Sequence, residues 1–201
     1  MIASFAPLEP PHAIMLILGT MPSVQSLEKQ QYYGNGQNHF WRLLFSLWDE
    51  PVPGDYQKRC AFVLNHRIAL WDVLQSCDRQ GSMDHSIQNA LPNDIPALLK
   101  RQPGIRAVFF NSKNAATFFS KLIGPRLPAY LTGRELSFTT LPSSSPARAM
   151  AFSKKLEQWQ VVRTTWDTLE QQEKTAPLPP RNPSLLSLHP FPQPAVAEEE
   201  R

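Results

Sequence analysis

The chain has 201 residues, 42% hydrophobic and 18% charged, enough apolar material for one ordinary domain and too much for a wholly disordered chain. Its net charge is +3 with a pI near 9.0, a mild excess that suits a polyanionic partner without requiring one. Cys60 and Cys77 are too few for the thiolate set of an iron–sulfur cluster, and no apolar run approaches the ~20 residues of a membrane helix.

The first predicted element is a buried strand over 13–18, the unbroken run Ala13-Ile14-Met15-Leu16-Ile17-Leu18 that stops at Gly19. Residues 38–48, dense in Phe, Trp and Leu, are long enough for a buried helix. A second strand with its exit loop occupies 67–74, with Ile68, Leu70 and Val73 apolar. A short helix follows over 93–101 with Asn93 as its cap. Then come a third strand over 106–110 and a third helix over 112–123, closed by Gly124. The fourth strand spans 136–141. Behind it, Pro142-Ser143-Ser144-Ser145-Pro146 leads into an amphipathic helix with Ser145 as cap and Pro146 at its first position. Its apolar face is Phe152, Leu156, Trp159, Val162, Trp166 and Leu169. From 175 to 201 the chain is proline-rich and closes on Glu198-Glu199-Glu200, the composition of a disordered tail behind a domain of 1–174.

Strands alternating with helices predict a three-layer α/β/α sandwich around a short, four-stranded, mostly parallel sheet. Ligands of such sheets sit at the carboxyl ends of the strands, so the loops after Leu18, Leu70, Phe110 and Leu141 are the places for chemistry. The first loop is Gly19-Thr20-Met21-Pro22-Ser23. Beyond it, Gln31-Tyr32-Tyr33-Gly34-Asn35-Gly36 holds two tyrosines, whose rings either stack on an extruded base or roof the core. Asn38 opens the next helix and Asn111 ends the third strand; each either caps a helix or turns its amide to a ligand. The triple serine leads toward a helix N-terminus, where backbone N–H groups favour phosphate, and Arg148 adds a charged donor. The plainer reading is a capped helix with solvated serines. Asp72 is either a general base or, the favoured reading, a carboxylate that fixes its own loop. No His, Cys and Asp group has metal-ligand spacing, and neither a P-loop nor a Ser-His-Asp order is present.

Four blocks in order carry a family resemblance. They are Gly19-Thr20-Met21-Pro22-Ser23; Gln31-Tyr32-Tyr33 with Asn38-His39-Phe40-Trp41; Leu70-Trp71-Asp72-Val73-Leu74 through Gly81-Ser82-Met83-Asp84; and Leu141-Pro142-Ser143-Ser144-Ser145-Pro146-Ala147. Together they resemble the uracil-DNA-glycosylase superfamily, most nearly its hypoxanthine-DNA-glycosylase branch, over roughly Ile14 to Trp166. The resemblance implies hydrolysis of the N-glycosidic bond of a deaminated base in DNA, hypoxanthine first, with uracil or a mismatched base as the alternative. It also implies that Asn38 is catalytic, because the Gly19 to Ser23 loop lacks the Asp or Asn that relatives carry there. Base contacts are then expected from Gly19, Thr20, Met21, Tyr33, Phe40 and Asn111. Phosphate contacts are expected from Ser23, Ser143, Ser144, Ser145 and Arg148. Two departures matter: Ser112 replaces a glycine beside Asn111, and Leu141 replaces a histidine that would stabilise the leaving base. The missing amide in the first loop and the missing histidine keep open a non-catalytic module that binds damaged DNA; a hydrolase of free nucleosides is the reading outside the family. The expected protein is a monomer, cytoplasmic or nucleoid-associated, acting on DNA with no metal, no cofactor and no membrane.

Overall fold

The structure, a computed structural model, describes residues 1–127, 131 and 135–175. The predicted tail lies outside the described residues from 176 onward.

The apolar run after Ala13 becomes β2 (Met15–Gly19), buried along its whole length. A strand this apolar is stable only with both faces covered, and it sits inside the sheet. It pairs in parallel with β3 (Ile68–Asp72) on one side and β6 (Ala107–Phe110) on the other, and β7 (Ser137–Thr140) pairs in parallel with β6. The order is β3-β2-β6-β7, the four-stranded parallel sheet that alternation predicted.

Alternate residues of β2 serve two cores. Met15 and Ile17 face one cluster with α2 (Phe40–Ser46), α3 (Tyr56–Asn65) and α6 (Phe152–Thr175). Leu16 and Leu18 face the other, with α4 (Ile95–Arg101) and α5 (Lys113–Leu122). Along α6, Trp159, Val162 and Leu169 are buried and Phe152, Leu156 and Trp166 pack beside them, the stripe read from their spacing. Trp159 is fully covered, and its indole N–H donates to the carbonyl of Pro142 at 3.0 Å, which ties α6 to the loop after β7. Truncating so large a buried ring to Ala costs about 3–5 kcal/mol.

A second sheet has no counterpart in the sequence pattern. Strands β1 (Ile2–Ala3), β4 (Leu74–Asp78) and β5 (Gln88–Pro92) pair antiparallel in the order β1-β4-β5. Leu74-Gln75-Ser76-Cys77-Asp78 is short and largely polar, and its register with β5 shifts twice, so neither periodicity nor apolar length marks it. Helices α1 (Val24–Lys29) and α3 likewise go beyond the elements predicted from the sequence.

Two predicted caps are corrected. Asp94, not Asn93, caps α4, its carboxylate accepting from Ala97 N–H at 3.0 Å. Asn93 is buried and donates instead to the carbonyls of Asp72 at 2.9 Å and Leu74 at 3.1 Å. Ser145 and Pro146 do not begin α6, which starts only at Phe152. The Ser145 hydroxyl accepts from Ala147 N–H at 3.2 Å and closes a turn. Among the described residues no helix is long and apolar enough to cross a membrane. Both cysteines are free and buried.

Candidate active site

The parallel register brings Gly19 opposite Asp72, Leu18 opposite Phe110, and Phe110 opposite Thr140. Four loops therefore leave one edge of the sheet side by side, and three hydrogen bonds lock two of them to α2. Asn111 donates from Nδ2 to Ser144 Oγ at 2.8 Å and accepts at Oδ1 from Ser144 N–H at 3.1 Å. The carbonyl of Ser144 accepts from His39 N–H at 3.0 Å. A backbone N–H can only donate, so the atom of Asn111 that faces it is the oxygen, and the amide cannot turn over. Beyond the two bonds to Ser144, Asn111 has one lone pair and one N–H in a fixed order, the N–H directed to the Tyr33 hydroxyl.

Tyr33 lies over this junction. Its ring stacks on Phe40, centroids 3.6 Å apart and planes 11° from parallel. Burial raises the pKa of its phenol, the charge of Asp72 raises it further, and a hydrogen bond with the Asn111 side chain lowers it. Its backbone is left-handed, with φ of 53°, a conformation that strains a non-glycine residue. The next residue is pinned from both sides: Gly34 N–H donates to Ser26 Oγ at 3.0 Å, and Lys29 Nζ donates to the Gly34 carbonyl at 2.9 Å. The ring is thus held in place before any ligand arrives. Tyr32 is the roof residue of the pair, 4% exposed with its hydroxyl on the Ala6 carbonyl at 3.0 Å.

Asp72 closes the other side. It is 4% exposed and accepts at Oδ2 from the Ser4 hydroxyl at 2.7 Å. Its Oδ1 lies over Gly19: a Cβ there would stand 2.4 Å from Asp72 Oδ1 and 3.2 Å from the Tyr33 hydroxyl, so only glycine fits between them. Burial pushes the Asp72 carboxyl up to about 7, with the Ser4 hydrogen bond pulling against it.

Other predicted residues are placed differently. Asn38 is half-buried at the start of α2, and its Oδ1 accepts from Phe40 N–H at 2.9 Å, so the capping geometry is realised. Met21 is buried in the core on the α4 and α5 side and turns away from the junction. Phe40 is fully buried and backs Tyr33 from behind, so a base reaches it only through that ring. Thr20 is buried with its hydroxyl 3.3 Å from that of Ser112, which also caps α5 by accepting from Ala115 N–H. Ser23 caps α1 by accepting from Ser26 N–H at 3.2 Å. Ser144 is 1% exposed and spent on Asn111, so it holds the loop rather than offering itself to phosphate. Ser143 and Ser145 are partly exposed and Arg148 is exposed on the same loop.

Three contributors lie outside the expected site residues; Arg79 stands within the third motif block, while Ser4 and Lys155 carry no signal in the sequence. Ser4 reaches Asp72 from the N-terminal arm, 68 positions away. Arg79, its side chain 1% exposed, donates to the Pro22 carbonyl and so braces the loop that begins at Gly19. Lys155 lies fully covered beneath the serine loop. A cavity of about 350 Å³ lined by Pro92, Asn93, Asp94, Pro96, Leu122 and Ile123 includes none of the junction residues.

Known proteins match the chain in sequence and in fold. The family model for the uracil DNA glycosylase superfamily matches residues 6–170. The chain belongs to the uracil DNA glycosylase superfamily. It is 34% identical over 149 residues, 74% of this chain and 89% of the relative, to a hypoxanthine DNA glycosylase of Methanosarcina acetivorans. It is 35% identical over 115 residues, 57% of this chain and 73% of the relative, to a hypoxanthine DNA glycosylase of Methanosarcina barkeri. Its fold is similar to a solution NMR structure of a Methanosarcina acetivorans protein provisionally described as a uracil DNA glycosylase. The TM-score is 0.68 at 32% identity, over 84% of this chain and 98% of that one.

Proposed function

We propose that this protein is a monofunctional DNA glycosylase, acting as a monomer, that hydrolyses the N-glycosidic bond of deoxyinosine in DNA and releases hypoxanthine. The observation that carries the reading is the convergence of Asn38, Tyr33 and the orientation-locked Asn111 at one sheet edge of a superfamily member. The names of the two Methanosarcina relatives supply the base.

The base leaves the helix stack and lies against the free face of Tyr33, with Phe40 as backing. The remaining lone pair of Asn111 meets the N1–H donor of hypoxanthine, and its second N–H turns from the Tyr33 hydroxyl to the O6 acceptor as the base enters. Adenine presents the opposite order at these positions, and an amide fixed by Ser144 N–H cannot turn to suit it. Asn38 Oδ1 keeps one lone pair beyond the Phe40 N–H and uses it to orient water at C1′. The C1′–N9 bond breaks and its electron pair leaves with the base; the water oxygen bonds to C1′, and the proton it loses passes through solvent to the hypoxanthine anion, giving neutral base and an abasic sugar. Positive charge on the sugar is stabilised by the same amide oxygen. Ser143, Ser145 and Arg148 hold the strand's phosphates.

With Leu141 where a histidine would assist the leaving base, the alternative of damaged-DNA binding without cleavage has a specific motive. Oligonucleotides carrying one hypoxanthine, uracil or xanthine, incubated with protein and then cleaved at abasic sites by alkali, test both readings. Excision chiefly at hypoxanthine, lost in Asn38→Ala, is the expected result. Excision chiefly at uracil moves the substrate, and binding without release of any base replaces the enzyme with a binding module.

A further inference from the structure

Lys155 occupies the first turn of α6 with none of its side chain exposed. Its ammonium donates to the carbonyl of Ser145 at 3.1 Å, among the described residues one bond for three N–H donors. Among the described residues no carboxylate forms an ion pair with it. After burial itself, the group that most disfavours its charge is another cation, Arg148. Burial first, and then Lys155 and Arg42, disfavour the charged form of His39, whose Nδ1 is buried with no hydrogen-bond partner among the described residues. Helix polarity adds to the imbalance. The first turn of α6 holds no acidic residue, and a helix N-terminus already carries partial positive charge that repels a cation.

A covered ammonium with no counter-ion, on the wrong end of a helix and among other cations, is costly by every electrostatic criterion. The cost is offset if an anion completes the group. The surface above it is the turn at Ser143 and Ser145, both partly exposed, with Arg148 exposed beside them.

We propose that Lys155 is the buried counter-charge for a DNA phosphodiester seated on the Ser143 to Ser145 turn, an anion site that the bound strand completes. The proposal rests on the reading of the protein as one that acts on DNA. The phosphate meets the Ser143 and Ser145 hydroxyls and the Arg148 guanidinium from outside, while Lys155 acts from beneath the turn, where solvent screens it little. Lys155 is therefore a positioning residue for the strand and takes no part in the bond-breaking step.

The test compares wild type, Lys155→Met and Lys155→Arg in binding a short fluorescent duplex with no damaged base, across a salt series, alongside thermal melts without DNA. Lys155→Met is expected to bind about 10-fold more weakly at low salt, with a shallower dependence of log K on log salt, by up to about 1. Its melting temperature is expected to hold or rise, because an apolar side chain replaces an uncompensated charge. Lys155→Arg is expected to keep the wild-type salt slope. An unchanged slope in Lys155→Met with a lowered melting temperature would overturn the proposal, leaving the lysine as a strut for the Ser145 carbonyl. Saturation of the site by inorganic phosphate with an unchanged duplex isotherm in Lys155→Met would overturn it too, in favour of a free anion. The duplex carries no damage, so a protein that releases no base but shows the slope change would lose the glycosylase reading and keep this one.

Discussion

Asn111 and Ser144 exchange two hydrogen bonds, at 2.8 and 3.1 Å, across the gap between the end of β6 and the loop after β7. Both residues are buried, and the pair sets which atom of the amide faces the base site. Ser144→Ala removes the hydroxyl and strands one Asn111 N–H in a covered position. The expected loss is about 1–3 kcal/mol of stability, read by denaturant unfolding, together with weaker discrimination of hypoxanthine from adenine in excision assays. Unchanged stability would mean that the hydroxyl bond contributes nothing net.

Tyr33 offers a separation of ring from hydroxyl. If stacking is its contribution, Tyr33→Phe stays within a few-fold of wild type in kcat/KM for deoxyinosine. Tyr33→Ala then falls about 10–100-fold, the worth of one base–aromatic stack. Equal losses in the two variants would assign the effect to the hydroxyl and its contacts with Asn111 and Asp72 instead.

Asp72 gives the protein a pH dependence of defined sign. Its carboxyl is raised to about 7 in the folded state, so between its unfolded value and neutrality the folded protein holds a proton that the unfolded chain has lost. The stabilising contribution of this group is complete below about pH 4 and disappears as pH rises through about 7, an effect on the order of 4 kcal/mol. Asp72→Asn cannot ionise. Its stability relative to wild type should therefore improve from pH 5 to about pH 8, followed by thermal melts, and a flat difference would remove the assignment.

Asn38 has a capping contact and a proposed water contact on one oxygen. Asn38→Ala should lose both, with about 0.5–2 kcal/mol of stability and nearly all excision. Asn38→Ser keeps a capping hydroxyl but falls short of the water. Stability close to wild type with excision still lost in the serine variant would separate the two roles; full excision in it would reduce Asn38 to a cap.

The parallel core was legible because it depends on local pattern. The run at Ala13 to Leu18 is too apolar for anything but a strand covered on both faces, and the spacing of Trp159, Val162 and Leu169 fixes one face of α6. The motif residues also point to the family, since Asn111 and the serine loop stand at strand ends that the alternation of elements already located, and Asn38 stands at the helix start after the first strand's loop. Sequence alone could not separate capping from ligand contact for these amides, because both uses need the same residue at the same helix start. Tertiary pairing decided it: Ser112 takes the cap of α5, which leaves Asn111 for Ser144, while Asn38 does cap.

The partners of the remaining site groups are set by distances along the chain that no periodicity reports. Ser4 meets Asp72, and Lys155 meets the Ser145 carbonyl, only after the sheet has formed and α6 has packed on it. Burial then changes what the residues are: a carboxylate that would be ionised in water holds a proton near neutrality, and a lysine that would be a solvated cation becomes a covered one. The sequence by itself determined the strands of the parallel sheet, the apolar faces and the superfamily, because hydrophobic spacing and local motif order are written along the chain. Only the tertiary structure decided which way Asn111 faces, that Phe40 lies behind Tyr33, and which charges are left without partners, because those depend on long-range contacts and on exclusion of water.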